Sequence, residues 1–159
     1  MIAVADASPV CYLILIGEID LLPKLFSQVV VPQAVRAELL HEDAPGVVRD
    51  WVENLPSWIS VQEDTVRNIA GMERLQAGER GAILLAESIK ADMILLDEKS
   101  ARRVAVDRGL RITGTLGVLS EAAAQGLVDL ASAIDRLTKT NFRYSPALLK
   151  ATLDRFGNP

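Results

Sequence analysis

Residues 78–103, GERGAILLAESIKADMILLDEKSARR, decide the fold. The first half has the apolar spacing of a helix that begins at Glu79, and a short linker then leads to the unbroken apolar run 93–96. This run is too short for a helix and suits a buried strand that ends at Asp97. Reactive groups in open α/β sheets gather beyond the carboxyl ends of strands, so Asp97 is the first candidate site residue.

The start of the chain repeats this order of strand, acid and helix. Residues 2–5 are an apolar run that ends at Asp6. Ser8 and Pro9 then suit an N-cap and a first helical position, which predicts a helix to about Ile16. Because Asp is a poor strand residue, its place directly after an apolar run makes Asp6 the second candidate.

The rest of the chain alternates short strands with helices. After a β-branched run at 29–31, Pro32 is expected to open a helix that places Glu38 beside its apolar face. Residues 64–75 are interpreted as a helix or a partly ordered loop. Further strands are expected at 58–61 and 110–113, and a last helix is expected to be capped by Ser145. Strands that alternate with helices of about ten residues predict a parallel α/β sheet.

Length and composition suit one domain over residues 1–159. Half of the residues are hydrophobic and only 4% are aromatic, so the core is aliphatic, as in a parallel sheet covered by helices. The net charge of −4 argues against broad electrostatic capture of nucleic acid, because such binding rests on a basic surface.

The single cysteine, Cys11, excludes an intrachain disulfide and a thiolate zinc cluster, and it indicates a reducing compartment. The apolar run at 10–16 is too short to cross a bilayer, and no basic residue precedes it. We therefore expect no signal peptide, no membrane association and a cytoplasmic location.

Four acids form the candidate site: Asp6, Glu38, Glu79 and Asp97. A pair of carboxylates about 4 Å apart repels by about 4 kcal/mol at an effective dielectric of about 20. A fold with a net stability of about 5–15 kcal/mol does not tolerate several such pairs without a cation. Oxygen ligands suit Mg²⁺ or Mn²⁺, which support attack of water on a phosphodiester. The alternative is that the four acids are unrelated surface residues, with Glu79 favoured by the helix dipole.

Four segments, in this order, together resemble a PIN domain: IAVADASPVCYLILIGEIDLL (2–22), VVVPQAVRAELL (29–40), GERGAILLAESIKADMILLDEKSARRVA (78–105) and GLRITGTLGVLSEA (109–122). The likeness is to a bacterial and archaeal PIN-like branch with a DE pair before basic residues and a GTLGVL segment. It covers about residues 2–126 and leaves 131–159 as a C-terminal helical extension.

The resemblance implies a three-layer α/β/α sandwich with a short parallel sheet and a Mg²⁺- or Mn²⁺-dependent ribonuclease site. Many PIN proteins of this size are toxins of VapBC-type pairs, inhibited by a small antitoxin, and many are homodimers. In the family's pattern Asp6, Glu38, Glu79 and Asp97 take the places of the four acids, the third being usually an Asp. Ser8 matches a small hydroxyl residue near the metal.

The chain departs from the family's usual T-x-D-x-D-F pattern around the fourth acid, where it reads LLDEKSAR with Leu95 in place of Thr. One alternative is therefore a PIN-like binding module without turnover, which acts through protein or RNA recognition. Another is a signalling receiver domain. That domain needs a Lys at the end of the last strand, where this chain has Thr113 and Gly114.

Basic side chains concentrate around the central segment, at Arg80, Arg102, Arg103, Arg108 and Arg111. Arg102 and Arg103 are candidates for binding an RNA phosphate next to the metal. The alternative is that these arginines lie on solvated helix faces in pairs such as Glu98 with Arg102.

Overall fold

The computed structural model describes residues 1–63 and 70–156. Within these ranges five parallel strands form one sheet in the order β3-β2-β1-β4-β5. The strands are β1 (Ile2–Ala5), β2 (Gln28–Pro32), β3 (Ile59–Gln62), β4 (Met93–Leu95) and β5 (Ile112–Thr113). The predicted parallel sheet is confirmed, and β1 and β4 are neighbours at its centre.

Helices connect the strands and cover both faces of the sheet. In the part of the chain that the structure describes they are α1 (Ala7–Leu15), α2 (Leu22–Leu25), α3 (Gln33–Leu39), α4 (Gly46–Glu53), α5 (Ala77–Ile89), α6 (Lys99–Asp107), α7 (Thr115–Ala124), α8 (Leu130–Thr138) and α9 (Pro146–Phe156), with a 3-10 helix at Ile19–Leu21. No helix among the described residues is long and apolar enough to span a membrane.

Each face of the sheet has its own hydrophobic core, because side chains alternate along a strand. Ala5 and Leu95 face the larger core, which includes residues of α1, α3, α4, α7 and α8. Val4 and Ile94 face the second core, which contains the buried sides of α5 and α6. The protein is thus the three-layer α/β/α sandwich that the resemblance implied.

Three helix starts differ from the sequence prediction. α1 begins at Ala7, so Ser8 is not its N-cap; Asp6 holds that position with extended backbone, and the Ser8 hydroxyl donates to Asp97 instead. α5 begins at Ala77, which makes Glu79 its third residue. Pro32 closes β2 rather than opening α3. The interpretation of residues 64–75 falls partly on 64–69, which lie outside the described residues.

The two C-terminal helices are packed onto the larger core. α8 buries Leu130 and Leu137 there, and Leu153 of α9 packs at its edge. The predicted cap of α9 is confirmed, since Leu148 N donates to Ser145 Oγ at 3.3 Å. The loop between α8 and α9 is therefore held at both ends.

Replacing Ile94 with alanine tests the second core. Ile94 is 0% exposed, so the free energy of unfolding should fall by about 2–5 kcal/mol. Val106, on the outer side of α6, is 54% exposed. Val106→Ala should change the free energy of unfolding by less than about 0.5 kcal/mol. Urea denaturation measures both, and equal small losses would contradict a packed core on this face.

Candidate functional site

Strand pairing brings Asp6 and Asp97 to the same edge of the sheet. Asp6 follows the last residue of β1, and Asp97 lies two residues after β4. Ala5 is opposite Leu95 in the ladder, and the Asp6 N–H donates to the Leu95 carbonyl at 3.0 Å. The expectation that these two acids lie at one sheet edge is confirmed.

The first turn of α5 brings Glu38 and Glu79 to the same place. Gly78 lies between α3 and β1, and a Cβ added there would be 3.3 Å from Asp6 Oδ1 and 3.7 Å from Glu38 Oε2. A larger residue would fill the space between these two carboxylates. Glu79 is the next residue along the helix, so three acids surround this turn.

All four candidate acids line one cavity of about 810 Å³. This is within the volume range of small-molecule and cofactor sites, about 300–1,000 Å³. Six acidic residues and two arginines line it among the residues that the structure describes. The cavity is therefore strongly negative and would repel an anionic substrate that entered without a cation.

Asp6 is the most perturbed of the four acids. Its side chain is 5% exposed, and its Oδ1 has no hydrogen-bond partner among the described residues. Burial raises the pKa of Asp6 to about 7, and the charges of Glu38, Glu79 and Asp97 add to the rise, although a hydrogen bond from the Ala7 backbone opposes it. A buried carboxylate oxygen without a donor is costly unless a cation binds it.

Asp97 is held by three hydrogen bonds. Its Oδ1 accepts from the Thr115 backbone N–H at 2.7 Å. Its Oδ2 accepts from the Thr115 hydroxyl at 2.7 Å and from the Ser8 hydroxyl at 2.9 Å. These donors fix the carboxylate before any ligand binds. Ser8 also lines the cavity, and its role beside a metal stays a prediction.

Glu79 and Glu38 differ in how they are fixed. Glu79 is buried, and its Oε1 accepts from the Gln76 backbone N–H at 2.9 Å, so one oxygen is engaged in capping α5. Much of the Glu38 side chain is exposed, but its carboxylate lies in the cavity wall. There, desolvation and the neighbouring Glu79 raise the pKa of Glu38.

The donor chemistry of the cavity fits a hard divalent cation, because carboxylate oxygens supply it and Asp6 Oδ1 is unsatisfied. Across residues 1–63 and 70–156, however, no three acidic, histidine or cysteine side chains are close enough to form a ready-made ligand set. Gly78 leaves open the space between the Asp6 and Glu38 carboxylates, where a side chain would otherwise lie.

Arg102 and Arg103 do not line the cavity. Arg102 Nη1 donates to the Leu96 carbonyl at 3.0 Å, so its guanidinium lies at the carboxyl end of β4. Arg103 is exposed on α6. Their role in binding phosphate stays a prediction, and the Glu98–Arg102 ion pair does not form.

Sequence reasoning missed several residues that line or order the cavity. Arg74 and Arg143 line it, as do Tyr12 and Asn141, and Thr115 orients Asp97. In the sequence Thr115 follows Gly114 at a strand end, where a hydroxyl can contact phosphate but a turn is the simpler account. Arg143 lies in the tail beyond the recognised motifs, where no spacing pattern linked it to the acids.

Asparagine at Asp6 should stabilise the metal-free protein at high pH. Between about pH 4 and pH 7 the unfolded chain loses this proton while folded Asp6 keeps it, so stability falls as pH rises and the full penalty applies above pH 7. Asp6→Asn removes a penalty of up to about 4 kcal/mol at pH 8 and brings no gain near pH 4.

Urea denaturation in chelator from pH 4 to pH 8 measures this difference. Asp50→Asn, at an exposed position of α4, is the matched control and should show no gain in stability that depends on pH over this range. A gain for Asp6→Asn that does not change with pH would contradict the raised pKa.

Comparison with known proteins identifies the family of the chain. A family model described as PIN domain matches residues 2–158, past the segment 2–126 that carried the motifs. A PilT N-terminus domain protein from the hyperthermophilic archaeon Sulfolobus solfataricus P2 is similar in structure, with a TM-score of 0.49 and 11% identity over 91% of this chain and 100% of that chain. No curated protein matches the sequence.

The family match separates the chain from signalling receiver domains and extends over nearly its whole length. The chain belongs to the PIN-domain family, whose members are typically nucleases.

Proposed function

We propose that this protein is a divalent-metal-dependent ribonuclease. The observation that supports it best is that four carboxylates from four separate segments line one cavity, and that the most buried of them has an oxygen without a donor among the described residues. Such an arrangement of carboxylates lowers the stability of the fold without a cation, whereas with a cation it supports hydrolysis of a phosphodiester.

Asp6, Glu38, Glu79 and Asp97 would hold Mg²⁺ or Mn²⁺, since both ions prefer oxygen ligands. When bound, such an ion lowers the pKa of a water molecule and neutralises charge on the phosphate oxygens. Asp6 contributes the unsatisfied Oδ1, and its burial keeps bulk water away from that oxygen.

The surrounding residues orient the carboxylates. Ser8 and Thr115 hold Asp97 in one rotamer, and the capping bond to Gln76 holds Glu79. Fixing ligands through neighbouring donors reduces the reorganisation that must accompany binding of a metal and substrate. Arg74 and Arg143 supply the positive charge that an RNA phosphate needs in an otherwise acidic cavity.

The choice of RNA as substrate and the cellular role rest on the motif resemblance. We place the protein as the toxin of a type II toxin–antitoxin pair, bound and inhibited by a small antitoxin and assembled as a homodimer. Growth arrest on expression, relieved by Asp97→Asn or by the small protein encoded beside the gene, tests the toxin role. Light scattering tests the dimer.

Metal binding should raise the melting temperature. We expect Mg²⁺ or Mn²⁺ at millimolar concentration to stabilise the folded protein by mass action. Asp97→Asn should abolish the shift; its amide fits because the Ser8 and Thr115 hydroxyls can turn to accept from it, while its oxygen still accepts from the Thr115 N–H.

Gly78→Ala is a second variant that separates metal binding from folding. Alanine favours the helix by up to about 1 kcal/mol, yet its methyl group would enter the space between Asp6 and Glu38. The metal-induced shift should shrink without loss of basal stability. A melting curve that metal leaves unmoved in the wild-type protein would contradict the cation site.

RNA cleavage should need the metal and the acids together. A single-stranded RNA should be cut with Mg²⁺ or Mn²⁺, and chelator or Asp6→Asn should lower the rate by at least about 100-fold. Asp50→Asn should cut at the wild-type rate, and a DNA strand of the same sequence tests the choice of RNA. Binding of RNA without cleavage by the metal-loaded wild type would instead favour a PIN-like binding module.

A further inference from the structure

The mouth of the acidic cavity is formed in part by the loop between α8 and α9. Asn141, Phe142 and Arg143 of this loop line the cavity together with Tyr12 of α1. The loop lies beyond residues 2–126, so the motifs assign it no role. It nevertheless lines the same cavity as the four carboxylates.

Tyr12 fixes this loop onto α1. Its hydroxyl donates to Asn141 Oδ1 at 2.9 Å. Its ring meets that of Phe142 edge to face, with centroids 5.1 Å apart and an interplanar angle of 83°. The Phe142 N–H also donates to Thr140 Oγ1 at 3.1 Å. The loop is thus held on both sides of Arg143 by these contacts and by the start of α9.

Tyr12 lies about one helical turn from the residue that binds Asp97. Ser8, which donates to Asp97, and Tyr12 are four residues apart in α1, a separation of about 6 Å along the helix axis. Burial raises the pKa of Tyr12, Cys11 and Asp97 add to the rise, and Arg143 opposes it. Tyr12, Asp97 and Arg143 line the same cavity.

The Arg143 guanidinium is available for a ligand. It is exposed at the cavity and forms no ion pair with any residue in the described ranges. Arg136, seven residues earlier, shows the contrast: it is bound to Glu18 at 2.8 Å and has a structural role. A guanidinium that lines an acidic cavity on a held loop, without an ion pair among the described residues, is suited to bidentate binding of a phosphate.

We propose that Arg143 binds the RNA phosphate adjacent to the one held at the carboxylates, and that Tyr12 and Asn141 are the positioning residues that hold it there. The proposal rests on the ribonuclease function and specifies its substrate contact. Arg143 determines where the RNA strand enters the cavity, whereas the four acids hold the metal for hydrolysis of the phosphodiester.

The test uses the full chain and a short fluorescent single-stranded RNA. Cleavage with Mg²⁺ gives kcat and KM. Fluorescence anisotropy with Ca²⁺, which takes the same kind of oxygen ligands, gives Kd at several salt concentrations, with intact RNA verified on a gel. Melting curves confirm that each variant folds.

Arg143→Ala should raise KM and Kd about tenfold, leave kcat within about twofold and reduce the salt slope by about 0.7, the value for one contact to a single strand. Arg143→Lys should restore the salt slope and only part of the affinity. Tyr12→Phe removes the bond to Asn141 and keeps the charge, so KM should rise less and the salt slope should not change. Arg111→Ala, exposed at the opposite edge of the sheet, is the control.

The outcomes separate this inference from the proposed function. Cleavage by wild type with unchanged KM, Kd and salt slope in Arg143→Ala would overturn the inference and leave the nuclease standing. RNA binding whose salt slope depends on Arg143, without cleavage, would support the inference and reject the nuclease. Wild-type protein that neither binds nor cuts RNA would overturn both.

Discussion

Parallel pairing of β1 with β4 is the constraint on which the site depends. Because Ala5 is opposite Leu95 and both strands end at the same edge, the two acids that follow them must lie close together. Their repulsion follows from the strand register, and the Asp97 charge adds to the raised pKa of Asp6. Gly78 lies against Asp6, and the Thr115 hydroxyl donates to Asp97, so both residues accommodate the close approach of the two acids.

The structure treats the two central acids differently. Asp97 receives three donors, so its negative charge is compensated within the protein. Asp6 is almost completely buried, which raises its pKa, and its Oδ1 has no hydrogen-bond partner among the residues that the structure describes. If Asp6 served only the stability of the sheet edge, we would expect a hydrogen-bond donor beside its Oδ1, like the donors beside Asp97. The missing donor makes sense if the partner of Asp6 comes from outside the chain, as a proton or a cation.

Local pattern was sufficient to predict the strands, their parallel direction and the position of Glu79 in a first helical turn, because all of these follow from apolar runs, the acids that end them and the alternation of strands with helices. The contacts that orient the acids span too much sequence for such reasoning: Ser8 and Asp97 are 89 positions apart. Ser8 was predicted as a helix cap because serine commonly caps a helix through a local hydrogen bond. Its hydroxyl donates to Asp97 instead. Arg102 was expected to face solvent or phosphate. It turns back to Leu96 because Gly114 has no side chain in the way and the end of β4 leaves a carbonyl without a partner.

The acids and the arginine at the mouth come from different kinds of structure. Asp6 and Asp97 are positioned by the register of the sheet, since a slip of one residue in either strand would turn the side chains of that strand to the other face. Arg143 lies instead in a loop, which Tyr12 and the two flanking helices hold against the cavity. The sheet can therefore fix the carboxylates while the loop supplies positive charge for the anion that must approach them. This division accounts for a strongly acidic cavity that nevertheless has at its mouth a guanidinium that forms no ion pair with the described residues.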